Sequence, residues 1–161
     1  RVLDNRLHLA IGHFPNHVSG LDYLPLYQEA LGLYCGRRHP LHGSTAENAE
    51  LLEEISESRI VARGFMQQHD LDRLGVSKAA ATVDNIEALA ILIISGAYLG
   101  FLPIHFAAQW VNTGEMQQLA PMSLHLKSPF DVITRRGVAP SPILRVFLED
   151  LAATARQEVQ P

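Results

Sequence analysis

Eight histidines, one cysteine and a pair of glycines four apart are the residues of this 161-residue chain whose types and spacing could do chemistry. His13 and His17 stand four apart, the spacing that puts two imidazoles on one helical face for a metal. Pro15 lies between them and forbids the shared helix. His39 and His42 bracket Pro40-Leu41 in a turn, and neither pair has a Cys, Asp or Glu at ligand spacing. All four read as surface or turn histidines, and no metal is expected. Gly96 and Gly100, in "SGAYLGFLP", raise a phosphate loop. Neither G-x-G-x-x-G nor G-x-x-x-x-G-K-[ST] occurs, and nothing basic follows. Ser95 has no strand before it and no G-x-S-x-G elbow around it. No spacing suggests paired carboxylates. The sole cysteine, Cys35 between Tyr34 and Gly36, excludes an internal disulfide and an all-cysteine metal cluster, and reads as a small buried hydrophobe. These residues build no catalytic constellation, and no cofactor is implied.

The composition bounds what else the chain can do. With 161 residues, 47% hydrophobic and 19% charged, it is long enough for one large domain or two small lobes with real cores. Its 13 Lys and Arg leave a net charge of −4, with no basic run longer than Arg37-Arg38 and Arg135-Arg136. Nucleic-acid surfaces cluster basic residues to displace counterions, so this segment is a poor surface for gripping DNA or RNA. The most apolar stretch, 86–94, carries Glu87 and stops at Ser95-Gly96, short of a membrane span. The chain opens on Arg1-Val2-Leu3 without a methionine, so targeting is not read from it.

Strands and helices alternate along the chain. "LHLAIG" (7–12) reads as a buried strand, followed by a loop punctuated by Pro15, Asn16, Ser19 and Gly20. Residues 24–36 read as extended, with Pro25 demoting the first part to an edge or connector and Leu31, Leu33 and Cys35 alternating. "STAENAELLEEISES" reads as a helix with a Ser44–Glu47 capping box, its five glutamates a solvated face. "RIVAR" (59–63) is the next strand, and 64–70 leads to a short helix. Asp84 with Glu87 forms a second capping box for a helix over 84–96, apolar nearly all round. Gly96 ends that helix in a left-handed cap, Gly100 permits close packing in the strand 98–103, and Pro103 opens a helix closed by Gly114. A strand at 129–134 precedes a final helix capped by Ser141-Pro142, with 144, 147, 148, 151 and 155 on one face. The alternation predicts an α/β fold with mostly parallel strand pairing.

What remains is ligand binding. In open α/β sheets, ligands lie beyond the carboxyl ends of strands, where helix N-termini offer N–H groups. Four strand–helix junctions have that character: His13 and Phe14; Gly64, Phe65 and Met66; Asp84-Asn85; and Pro103-Ile104.

The order of segments, "LHLAIG", "EALGLYCGRRHPLHG", "VDNIEALAILIISGAYLGFLP", "VNTGEMQQLAP", "PFDVITRRG" and "SPILRVFLEDL", resembles the effector-binding domain of LysR-type transcriptional regulators. The likeness covers nearly the whole chain and is strongest over 84–121. It implies two Rossmann-like lobes joined by two crossover segments, near Gln28–Leu31 and Met122–Ser128, in a periplasmic-binding-protein type II-like fold. One lobe would comprise residues 1–28 and 126–161, the other 29–125. A small-molecule effector would sit between the lobes, contacted by His13, Phe14, Gly64, Phe65, Met66, Asn85, Pro103 and Ile104. His13 could pair with a carboxylate, which favours small organic acids. The resemblance further implies a cytoplasmic homodimer or homotetramer that is not an enzyme and has no membrane partner. DNA would be reached only through an N-terminal helix-turn-helix domain that these residues do not contain. The family's domain also begins earlier, with a strand and helix whose Ser/Thr meets the effector, so the first lobe is expected to be incomplete. His8 stands where most members have an acidic residue. An extracytoplasmic solute-binding protein of the same two-lobe design is the alternative, and an enzyme on a related scaffold is a third. The residues encoded upstream of Arg1 would separate them.

Overall fold

The computed structural model describes residues 1–64 and 67–158. The chain divides into two compact units, Arg1–Glu29 with Lys127–Pro161, and Ala30–Leu126. It passes from one to the other inside two long strands, β2 (Leu21–Gly36) and β7 (His125–Arg135).

In the first unit, β1 (Leu9–Gly12) pairs antiparallel with β7, from Leu9 opposite Thr134 to Gly12 opposite Asp131. Val2, Leu21 and Ile133 form its small buried core, with Ala10, Phe14 and Tyr23 packed against them. Helix α5 (Pro142–Glu158) starts where Ser141 Oγ accepts the Leu144 N–H at 3.3 Å. Leu144, Leu148, Leu151 and Ala155 are half-buried as the apolar spacing predicts. Phe147 departs from it at 47% exposed.

The second unit is a sheet with helices on both faces. Its elements are α1 (Ala49–Glu57), β3 (Val61–Arg63), α2 (Gln67–Leu74), β4 (Ala81–Val83), α3 (Ile86–Ile94), β5 (Gly100–Pro103), α4 (Ile104–Asn112) and β6 (Met116–Leu119). The period of two in β2 sorts side chains between two cores. Leu31, Leu33 and Cys35 join Leu51, Ile55, Leu71 and Phe101 on one side. Tyr34 joins Leu89, Ile93, Leu102 and Ala107 on the other. Burial on both faces pushes the Cys35 thiol up to about 11 and the Tyr34 hydroxyl up to about 12, so Cys35 is an inert core residue.

Strand pairing corrects the mostly parallel expectation. β3 pairs parallel with β4, and Ile60 bridges Leu99 in the same sense. β2 pairs antiparallel with β5 and β6, and β1 pairs antiparallel with β7. Helical crossovers impose parallel pairing only between β3, β4 and β5, whereas the crossing strands need no such connection.

Both predicted capping boxes are also corrected. Asn48, not Ser44, caps α1, accepting the Leu51 N–H at 3.0 Å, while Glu47 turns to residues 122 and 123. Asn85, not Asp84, caps α3, accepting the Ala88 N–H at 2.7 Å. Nor is α3 buried all round, because Ile91 is 66% exposed. Its end is as the glycine predicts: Gly96 has φ +79° and its N–H returns to Ile93. Gly100 lies in ordinary strand, where a Cβ would meet Val61 O and Ile93 Cδ1 at 3.0 Å.

The tightest approach in this unit is at Gly36, where α3 ends over β2. A Cβ there would collide with the Ile93 carbonyl oxygen and lie 2.8 Å from that of Ile94. We expect Gly36→Ala to destabilise the protein by about 1–3 kcal/mol, the usual cost of overpacking against backbone. Urea denaturation measures it, and an unchanged midpoint would mean that α3 shifts freely.

Candidate functional site

His13 follows β1 directly, and the β1–β7 register sets what it meets. With Gly12 opposite Asp131, the next residue comes level with the middle of β7. His13 Nδ1 lies 3.0 Å from the Pro129 carbonyl oxygen and 3.1 Å from the Ser128 hydroxyl. A carbonyl only accepts, so Nδ1 carries the hydrogen in that bond. Ser128 is 2% exposed, so this contact is buried on the serine side. Sequence reasoning missed Ser128, which becomes visible only once antiparallel pairing with β1 is known. Phe14 turns inward, edge-to-face with Tyr23 at 6.2 Å, and belongs to the core of its unit.

The candidates of the second unit collect at one edge of its sheet. β3, β4 and β5 run parallel, so the residues after them emerge together. Gly64 ends β3 and donates its N–H to the Val83 carbonyl at the end of β4, 3.0 Å away. A Cβ at Gly64 would stand 3.1 Å from Asp84 Oδ1. Phe65 and Met66 lie outside the described residues. Asn85 is exposed, but its Oδ1 is committed to the cap of α3. Pro103 is buried at the end of β5 and stands at the cap position of α4, which makes no side-chain capping bond. Ile104, the first residue of α4, is 38% exposed. The fold thus brings Gly64, Asn85, Pro103 and Ile104 to one edge, and His13 lies in the other unit.

The remaining histidines are structural where their partners are visible. His17 stacks on Tyr23 with ring centroids 4.0 Å apart. His39 is buried, and its Nδ1 accepts the Leu41 N–H at 3.2 Å, closing the "HPL" turn. Among the described residues, no group of three or more His, Cys, Asp or Glu could hold a metal ion. Among the same residues, no helix is long and apolar enough to cross a membrane.

Two α/β units joined by two crossing strands are the architecture of the periplasmic-binding-protein type II-like fold. The family profile of the LysR substrate binding domain matches residues 1–156, and the chain belongs to that family. It is 34% identical over 154 residues to the HTH-type transcriptional activator BauR of Pseudomonas aeruginosa, covering 95% of this chain and 50% of BauR. The chain therefore spans about half the length of that relative. Among solved structures, it resembles the effector binding domain of QuiR in complex with shikimate, with a TM-score of 0.78 and 12% identity over 97% of this chain and 75% of that one. The regulatory domain of CcmR from Synechocystis PCC6803, in complex with 2-PG, gives a TM-score of 0.76 and 22% identity, covering 97% and 77%. Family and relative are those of transcriptional regulators, which sets aside the solute-binding and enzyme alternatives.

Burial lowers the proton affinity of His39 below its ordinary value, so the folded chain keeps that ring neutral. The unfolded chain takes up the proton first as pH falls, which penalises folding. The stabilising share of His39 is therefore complete above about pH 6.5, the ordinary histidine value, and is lost as pH drops through the folded value. Thermal melts from pH 7.5 to 5 should show a smaller acid loss in His39→Gln than in the parent. Equal pH dependence would show that His39 is not kept neutral.

Proposed function

We propose that this chain is the effector-sensing part of a DNA-binding transcriptional regulator and that its effector is a small organic acid. The two compact units are taken as the two lobes. The proposed effector contacts are His13 and Phe14 in the first unit and Gly64, Phe65, Met66, Asn85, Pro103 and Ile104 in the second. The whole protein is cytoplasmic and homo-oligomeric, a dimer or tetramer, and reaches DNA through a helix-turn-helix domain outside these residues. The acidic balance here supports that division of labour, as does the printed description of BauR.

The observation that carries the proposal is the anchoring of His13. Its Nδ1 is held by Pro129 and Ser128, so the ring meets a ligand through Nε2. A hydrogen bond from an imidazolium N–H to a carboxylate is charge-assisted, the strong kind. The uncapped N-terminus of α4 at Pro103-Ile104 adds backbone N–H groups that favour an anion. The complexes of QuiR with shikimate and CcmR with 2-PG lend the proposal support by likeness of fold.

A thermal-shift screen of small organic acids on the full-length regulator tests it. A ligand at about 100 times its dissociation constant stabilises the folded state by about 2.7 kcal/mol, a shift of several degrees. Acids should raise the melting temperature, and their neutral amides should not. His13→Ala should abolish the shift while leaving DNA affinity unchanged. Asn85→Asp retains the cap acceptor of α3 yet sets a negative charge at the site, and it should weaken acid binding by about tenfold or more. Amides that stabilise as well as acids would overturn the organic-acid assignment. Normal responses from both variants would overturn the site.

A further inference from the structure

Two charged side chains of the second unit converge on one residue that the effector site does not use. Glu47, just ahead of α1, accepts the Met122 N–H at 2.9 Å, and the Ser123 N–H and hydroxyl at 3.2 and 2.8 Å. From another direction Arg73, in the last turn of α2, donates through Nη2 to the Ser123 carbonyl. Ser123 therefore has its amide, its side chain and its carbonyl all held by charged partners. Hydrogen bonds of this kind are stronger than neutral ones.

The turn held in this way is strained. Ala120 has φ +43°, in the left-handed region that costs a residue with a Cβ about 1–2 kcal/mol. The Ser123 and Leu124 N–H groups both return to its carbonyl, at 3.1 and 2.7 Å. Leu124 and Leu126 are buried immediately afterwards, and the chain leaves this unit between Leu126 and Lys127. At the other end of the contact, α2 is seated by Leu71 and Leu74, 2% and 8% exposed. It begins at Gln67, three residues after Gly64.

We propose that Ser123 is a latch that couples the position of α2 to the turn through which the chain leaves its unit. A displacement of α2 pulls Arg73 from the Ser123 carbonyl, and the strained turn at Ala120 then relaxes unless Glu47 still holds it. Glu47 and Arg73 are positioning residues in this device. The hydrogen bonds that define the device run to Met122 and Ser123.

Hydrogen exchange on the full-length regulator tests the latch without a ligand. Glu47→Gln should speed exchange of the Met122 and Ser123 amides by about tenfold and, through Arg73, also speed exchange across Gln68–Leu74. The amides of β5 should stay as protected as in the parent, showing that the unit remains folded. Ser123→Ala, which removes only the hydroxyl, should produce a smaller change in the same two segments, and Glu53→Gln on the exposed face of α1 should change neither. Faster exchange confined to 122–124 would mean that the turn is held locally and is not coupled to α2. Unchanged exchange in both segments would mean that no latch exists.

Discussion

Burial of both faces of β2 within the second unit is the constraint on which the other placements depend. A strand polar on both faces tolerates sliding, whereas Leu31, Leu33 and Cys35 on one side and Tyr34 on the other are all nearly inaccessible. A one-residue slip would exchange the two cores, with Tyr34 driven among the leucines. Filling two cores from one strand also limits what can approach it. Gly36 is where the last carbonyls of α3 come down, and a Cβ at Gly32 would run into the Gln118 amide. With the end of α3 fixed in this way, its cap at Asn85 and the following strand are fixed with it. The edge that carries Gly64, Asn85 and Pro103 is thus set by packing remote from it.

The same economy shows in the polar contacts. Arg37 closes the end of α4 by donating to the carbonyls of Gly114 and Thr113 at 2.8 and 3.1 Å. Gln117 ties the loop before α1, accepting from Gly43 and donating to Ser44, each at 2.6 Å. Exposed ion pairs such as Arg136 with Asp22 contribute little by comparison, because solvent screens them. Long polar side chains here serve mainly to satisfy backbone groups at the ends of elements, where an unmet carbonyl or amide is costly.

Much of this fold was legible in the residues. The run from Ile86 to Gly114 reads correctly because its signals agree: helical periodicity, a left-handed Gly96, a short apolar strand and a proline at a helix start. Strand direction was not legible, since alternation of strands and helices predicts parallel pairing only where a helix makes each connection. The caps slipped because Ser44, Asn48, Asp84 and Asn85 are all competent acceptors, and tertiary demands decide which serves. Glu47 shows how: it abandons a local capping box for a turn some 75 residues away. For the site, the junction residues could be named from sequence, but the anchoring of His13 by Ser128 and Pro129 required a register that no local pattern encodes.

The discontinuity of the first unit bears on how the chain is made. Residues 30–126 are contiguous, and every strand and helix of that unit emerges before Lys127 is synthesised. They can condense while the chain is still growing, by contacts of modest sequence separation. The first unit must hold its opening segment open until β7 arrives more than a hundred residues later to pair with β1. Prior folding of the intervening segment shortens that wait, because a compact insert brings the two ends nearer than a flexible loop of equal length would. On the ribosome, then, the unit whose synthesis begins earlier of the two is the one completed last.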